Sequence, residues 1–282
     1  MPITERKLYG YTYAVDSDTH VATITFDSEA TLNAHDTRLR RMLIETLQEA
    51  EWDDAVRVIV FQGKGKAFSA GDNISGAALD DPSLFPEDLL PHPEGQRDSL
   101  RTFSVLRGAS QLLLQTVRRL SKVTIASVNG FAIQSGLTLA LACDFRVAAQ
   151  SARMGSGTLR FAMQADEGGL YMLVQHIGVS RTMDFVLRKR IITAGQALEL
   201  GLVHEVCPDD QLAEITRALA EELASGPQMA LRMAKRGIYV AAEASLEQAL
   251  EDIALRTAIT DHHPDMAEGA RAFRAKEKPN FA

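Results

Sequence analysis

Cysteine is scarce. The 282 residues contain two, Cys143 and Cys207. Their number and spacing exclude a disulfide framework and a thiolate metal site, and they point to a reducing compartment. Cys143 lies in an apolar run and reads as a small core residue. Positive charge is also in deficit: 30 Lys and Arg stand against 37 Asp and Glu, a net charge of -7. That balance excludes nucleic acid or an anionic membrane as the main partner, although a local basic patch for a phosphorylated ligand stays open. No apolar run is long enough to span a bilayer, and no charged-then-apolar segment opens the sequence. The expectation is a cytoplasmic protein. No internal repeat is visible.

What is there is ordinary for a globular chain: 46% hydrophobic and 24% charged residues. The length suits one large domain or a domain with an appendage. Lys7 to Val15 and Val21 to Phe26 are β-rich runs around Asp16-Ser17-Asp18, which predicts a hairpin. Asp36 is placed to cap a helix running to about Glu51, with Leu39, Met42, Leu43 and Leu47 as its apolar stripe. Val56 to Phe61 is a strand. Residues 75–98 carry Pro82, Pro86, Pro91 and Pro93, which break any helix and predict a loop over an active site. Ser99 to Leu120 reads as one amphipathic helix. Phe145 to Ala148 is a short strand, and Gly155 to Gly169 is loop-rich. Helices are expected at Leu170–Ile177 and Arg181–Leu187, with another starting at Thr193 and a short strand at Val203–Val206. From Asp209 onward the pattern is helical only. Gly226-Pro227 breaks it, with Pro227 suited to a first helical turn. Alternating strands and helices followed by helices alone make this an α/β chain, with a core at 1–200 and a helical region at 201–282.

The chain is organised around Ser127 to Asp144, SVNGFAIQSGLTLALACD. A buried strand (Val123 to Val128) feeds a turn at Asn129-Gly130. Gln134-Ser135-Gly136 then opens the apolar helix Leu137 to Ala142. Such a junction leaves free N–H groups at a helix N-terminus, which suit an oxyanion. A second segment, KAFSAGDNIS (Lys66 to Ser75), has the same small-residue character. Together with ASVNGFAIQSGLTLALACDFRVAA (Ala126 to Ala149), TLNAHD (from Thr31), TAGQALELGLVHEV (from Thr193) and AFRAKEKPNF near the C-terminus, it resembles the crotonase (enoyl-CoA hydratase/isomerase) superfamily. The resemblance covers nearly the whole chain outside residues 75–98.

That resemblance implies a crotonase-like spiral of ββα units with a C-terminal helical trimerisation region, assembled as a homotrimer or as a hexamer of paired trimers. It implies an acyl-CoA thioester substrate, with coenzyme A part of the substrate and no separate cofactor or metal. The oxyanion hole falls by position on the backbone amides of Asp72 and Ser135. Lys66, Ala70 and Lys276 match CoA-binding positions, and Lys64 lies beside them.

The chain departs from the family at the acids. The two glutamates that handle water in the hydratases fall on Thr138 and Thr158, and the family's Gly-Gly-Gly becomes Gln134-Ser135-Gly136. A threonine is no general base near neutral pH without a neighbouring base. Asp166 matches a catalytic aspartate of dienoyl-CoA and epoxyphenylacetyl-CoA isomerases, so the expected reaction is double-bond isomerisation with Asp166 as proton shuttle. The other reading of Asp166 is a cap on the helix starting near Gly168. Glu167 is the second candidate acid, matching diketone-cleaving relatives; otherwise it is a solvent-facing first-turn acid. Hydration or C–C hydrolysis by another acid, and a non-catalytic acyl-CoA-binding chain, are the alternatives. Among the histidines, His35 sits near the family's CoA site and His92 in the proline-rich loop. His176 and His204 read as structural, and His262-His263 as a cap.

Overall fold

The computed structural model describes residues 3–73 and 97–281. Most of the proline-rich stretch, with His92, lies outside the described residues. The chain opens with three strands, β1 (Ile3–Leu8), β2 (Tyr11–Asp16) and β3 (Val21–Phe26). The expected β2–β3 hairpin forms, pairing Tyr11 with Phe26 and Asp16 with Val21. The run from Lys7 to Val15 is not one strand: Gly10, with φ of +76°, turns the chain and folds β1 back on β2. Helix α1 (Thr37–Trp52) follows, capped by the Asp36 carboxylate accepting from the Leu39 amide at 2.8 Å. Leu39, Leu43 and Leu47 are buried, as their spacing predicts.

Three successive units then repeat one plan. Strand β4 (Val58–Gly63) is followed by β5 (Ala67–Ser69), then α2 (Arg97–Val105), a π turn (Leu106–Ser110) and α3 (Gln111–Arg119). Strand β6 (Val123–Val128) is followed by β7 (Phe131–Ile133) and α4 (Ser135–Ala142). Strand β8 (Phe145–Ala149) is followed by β9 (Arg153–Gly155) and α5 (Gly169–Leu187). In each unit the first strand joins a seven-stranded sheet and the second joins a four-stranded sheet. After β10 (Ile191–Thr193), α6 (Ala194–Leu200) and β11 (Glu205–Cys207), the orders are β1-β2-β3-β4-β6-β8-β11 and β10-β9-β7-β5. This is a ββα spiral, with parallel pairing from β3 to β11 in the large sheet and from β5 to β9 in the small one.

Helix α6 starts in a Thr193–Gln196 capping box. Helices α7 (Leu212–Ala224), α8 (Gln228–Ala241), α9 (Leu246–Asp261) and α10 (Pro264–Ala275) complete the C-terminal region. Ala220 and Ala224 of α7 pack on Val58, Val60, Val123 and Ile125, while the other face of the sheet carries the main core. Strands β4 and β6 are therefore covered on both faces, which explains why all of β6 and the first four residues of β4 are buried. The helix expected at Ser99–Leu120 is interrupted by the π turn. The two helices expected on either side of residue 178 are present: α5 is broken at Gly178, whose φ of 74° and ψ of 167° are not helical. Among the described residues no helix is long and apolar enough to cross a membrane.

Candidate active site

Two neighbouring strands of the small sheet end side by side. Strands β5 and β7 run parallel, with Ser69 opposite Ala132. After β5 the chain turns through Ala70 and Gly71 to Asp72; after β7 it turns through Gln134 into α4, whose first residue is Ser135. The turns interlock through glycine. A Cβ on Gly71 would lie 2.9 Å from the Ile133 carbonyl oxygen, and one on Gly136 would lie 2.4 Å from that of Ser69. Neither turn tolerates a side chain there. Among the described residues the Asp72 and Ser135 amides have no protein acceptor. Free N–H groups on two turns in contact suit an oxyanion.

Two side chains, Asn33 and Arg40, and the backbone of Leu32 and His35 hold the first turn. Asn33 donates to the carbonyls of Lys64 (3.0 Å) and Ala67 (2.7 Å). The Ala70 amide donates to Leu32 O at 2.9 Å. His35 forms an isolated parallel bridge with Asp72, its amide donating to Gly71 O (2.8 Å) and its carbonyl accepting from Asn73 (3.0 Å). Arg40, buried on α1, joins both turns: it ion-pairs with the Asp72 carboxylate and lies 3.4 Å from Ser135 Oγ. Nothing in the sequence pattern marked Arg40, because an arginine on a helix stripe usually faces water.

Gln134 and Thr138 meet at one carboxyl, that of Glu167. Gln134 is held at φ 47°, ψ −111°, a conformation costly for a residue with a side chain, on the order of 1–3 kcal/mol. Its amide is tied down on every side. Oε1 accepts from Ser156 Oγ (3.0 Å), the Gly157 amide (3.3 Å) and Thr158 Oγ1 (3.3 Å), and Nε2 donates to Glu167 Oε1 (3.2 Å). Thr138 Oγ1 lies 2.8 Å from the same Glu167 oxygen and 3.1 Å from Gln134 O, so its single proton serves one acceptor at a time. The Glu167 carboxyl thus packs against the first turn of α4 at Thr138.

Glu167 is 4% exposed, which corrects the reading of it as a solvent-facing first-turn acid. Burial pushes its carboxyl well above the ordinary range; the hydrogen bond with Asp166 and the negative charge of Asp72 push it further. One carboxylate oxygen from each of Asp72, Asp166 and Glu167 lies within 4.8 Å of the other two. Asp166 is the more exposed of the loop pair; its amide donates to Glu167 Oε2 (3.3 Å) and its carbonyl accepts from Gln111 Nε2 (3.0 Å). It does not cap α5. The N-cap is Gly168, at φ +112°, and no side chain caps the helix.

A narrow cavity of about 20 Å³ lies against Glu167, Thr138, Ser135, Arg40 and His35, with Leu139 on its apolar side. His35 is buried with its ring 4.8 Å from that of Phe26. Burial and Arg40 lower its pKa to about 3, so the ring is neutral. Lys66 and Lys276 are exposed, Lys276 as the left-handed C-cap of α10, and Ala70 is half-buried. His176 lies 3.2 Å from Leu141 O, the His204 ring accepts from the Arg146 amide at 3.1 Å, and His263 caps α10. All three serve local backbone.

A family model described as enoyl-CoA hydratase/isomerase matches residues 16–88 and 93–282. The chain is 30% identical over 261 residues to a 1,2-epoxyphenylacetyl-CoA isomerase of Escherichia coli, covering 93% of this chain and 94% of that protein. It is 30% identical over 271 residues to a 2,3-dehydroadipyl-CoA hydratase of the same organism, covering 95% and 97%. An enoyl-CoA hydratase structure from Bacillus anthracis superposes with a TM-score of 0.81 at 29% identity, covering 100% of this chain and 99% of that one.

Proposed function

The chain belongs to the enoyl-CoA hydratase/isomerase (crotonase) family, and we propose that within it the chain moves a double bond along an unsaturated acyl-CoA thioester, with Glu167 as the proton carrier. The observation that carries this is the buried Glu167 carboxyl, 2.8 Å from Thr138 Oγ1 and lining one cavity with Ser135. In this reading the thioester oxygen sits on the amides of Asp72 and Ser135. Each such donor contributes about 3 kcal/mol to transition-state stabilisation. The Glu167 carboxylate takes a proton from one carbon α to the conjugated system. The electron pair shifts into a dienolate whose negative charge rests on the thioester oxygen. The resulting carboxylic acid returns the proton two carbons away, and the enolate pair moves back to form the shifted double bond. One residue that both accepts and donates works best with a pKa near the working pH, and burial supplies that shift.

Asp166 is the partner of Glu167 in this reading and not the shuttle itself, because it is the less buried of the two. Their proximity also favours a second reading, hydration, in which the pair replaces the glutamates absent at Thr138 and Thr158. Lys66 and Lys276 are the cations for the CoA phosphates. Exposed Leu246, Leu250 and Ile253 share a face of α9, and with Phe273 they fit subunit contacts in a trimer or hexamer.

The test is a panel of trans-2-, cis-3- and dienoyl-CoA thioesters with product identification. The expected result is double-bond migration by the wild type, with Glu167→Gln slower by about 10²–10⁴-fold. A hydroxyacyl-CoA product sensitive to both Glu167→Gln and Asp166→Asn would establish the second reading. Full activity in Glu167→Gln would overturn both.

A further inference from the structure

His35 leaves one polar atom without work. The residue is 1% exposed and is among those that line the narrow cavity beside Glu167. Its Nε2 has no hydrogen-bond partner among the described residues. The ring cannot swing away to find one: the backbone is held on both sides by Gly71 and Asn73, and Phe26 packs against the ring. Buried polar atoms in folded proteins nearly always have partners, and an orphan at a substrate pocket is a seat for something that arrives. A plain hydrocarbon chain there would leave Nε2 unpaired and desolvated.

The neighbours say which group fits. Arg40 is the cavity's cation, and its charge is already matched by the Asp72 carboxylate. A further carboxylate would therefore face Glu167 with no free counter-charge among the described residues. A neutral imidazole offers one donor and one acceptor, and so suits a hydroxyl or a ketone. The volume, about 20 Å³, admits a group the size of a single water.

We propose that this cavity seats an uncharged oxygen of the acyl group, so that the chain prefers acyl-CoA thioesters carrying a hydroxyl or keto oxygen on the acyl chain over plain hydrocarbon ones. The inference rests on the acyl-CoA reading above and deepens it. His35 is the specificity residue, and Glu167 keeps its own role.

The experiment compares enoyl-CoA thioesters of one chain length that are unsubstituted, hydroxylated or oxidised to the ketone at successive carbons, or terminated by a carboxylate. For the wild type, kcat/KM for the best hydroxyl or keto substrate should exceed that of the plain chain by about tenfold or more. His35→Leu should bring that ratio close to one, and His35→Gln should keep much of it. If neither variant folds, the wild-type ratio decides alone. Equal wild-type rates would mean that the cavity holds only a water, and a preference for the carboxylate would mean that Arg40 is the reader; either overturns the proposal. Calorimetric binding of saturated plain and oxygenated acyl-CoA is read in parallel. If no thioester is turned over yet the oxygenated one binds about tenfold tighter, the isomerase reading fails and the specificity stands. Turnover of all thioesters without preference has the opposite meaning.

Discussion

At the residue scale, Glu167 trades stability for chemistry. Its pKa is raised on folding, so its contribution to stability is fully present below the unfolded glutamate value and is lost as pH rises through the folded one. Glu167→Gln should therefore melt higher than wild type at neutral and alkaline pH while losing activity, and a thermal scan across pH 5–9 reads this directly. Thr138→Val removes a donor that favours the ionised carboxylate. The pKa should rise further. The alkaline-going limb of kcat/KM, which requires the ionised base, should move to higher pH, and the rate at neutrality should fall roughly tenfold. His35 acts in the opposite window. Its pKa is depressed to about 3, so stability is present above the unfolded value of about 6.5 and is lost as pH falls below it. That loss should approach about 1.4 kcal/mol per pH unit, and denaturant titrations at pH 7, 6 and 5 should show a steeper loss in wild type than in His35→Gln, in which His176, also kept neutral by burial, still contributes.

At the element scale, the site is two turns that must touch. Gly136 has no room for a methyl: its Cβ would meet the Ser69 carbonyl oxygen at 2.4 Å. Gly136→Ala should push β7 and α4 away from β5, separate the two amides and destabilise the fold by about 2 kcal/mol or more, with activity lost even in the fraction that stays folded. Circular dichroism melts with a parallel rate assay check this. Much of the arrangement was legible in the sequence. Small residues at Ala70-Gly71 and Ser135-Gly136 after apolar strands announced the turns, and Asp36, Thr193 and Pro227 announced helix starts. The acid network was not legible. Nothing in the spacing of Gln134, Thr138 and Thr158 says that the first two meet at Glu167 while Thr158 holds the Gln134 amide, since that depends on how the loop before α5 folds back over α4. For the same reason Glu167 looked like a first-turn surface acid until its burial was visible. Arg40 was hidden by its place on an amphipathic helix. The break at Gly10 was missed because a single glycine in a β-rich run is compatible with either a continuous strand or a turn.

At the scale of the whole molecule, the spiral sets the turns that carry Asp72 and Ser135 side by side after β5 and β7 of the small sheet, while the large sheet carries the core on one face and α7 on the other. The alternation of strands and helices followed by helices alone was readable from periodicity. That successive strands go to two different sheets was not, because both kinds are short and apolar. The exposed apolar residues of α9 and α10 find no cover among the described residues. Light scattering should give a mass of three or six chains, and Leu250→Asp with Ile253→Asp should shift it toward the monomer.

The most direct test of the central claim follows hydrogen at the acyl chain. An enoyl-CoA substrate is incubated in deuterated buffer with wild type, Glu167→Gln and Asp166→Asn, and exchange at the carbons flanking the double bond is followed by NMR. The account predicts exchange and double-bond migration by wild type, near-complete loss of both in Glu167→Gln, and a partial loss in Asp166→Asn. Exchange at the wild-type rate in Glu167→Gln, or its complete loss in Asp166→Asn alone, would contradict it.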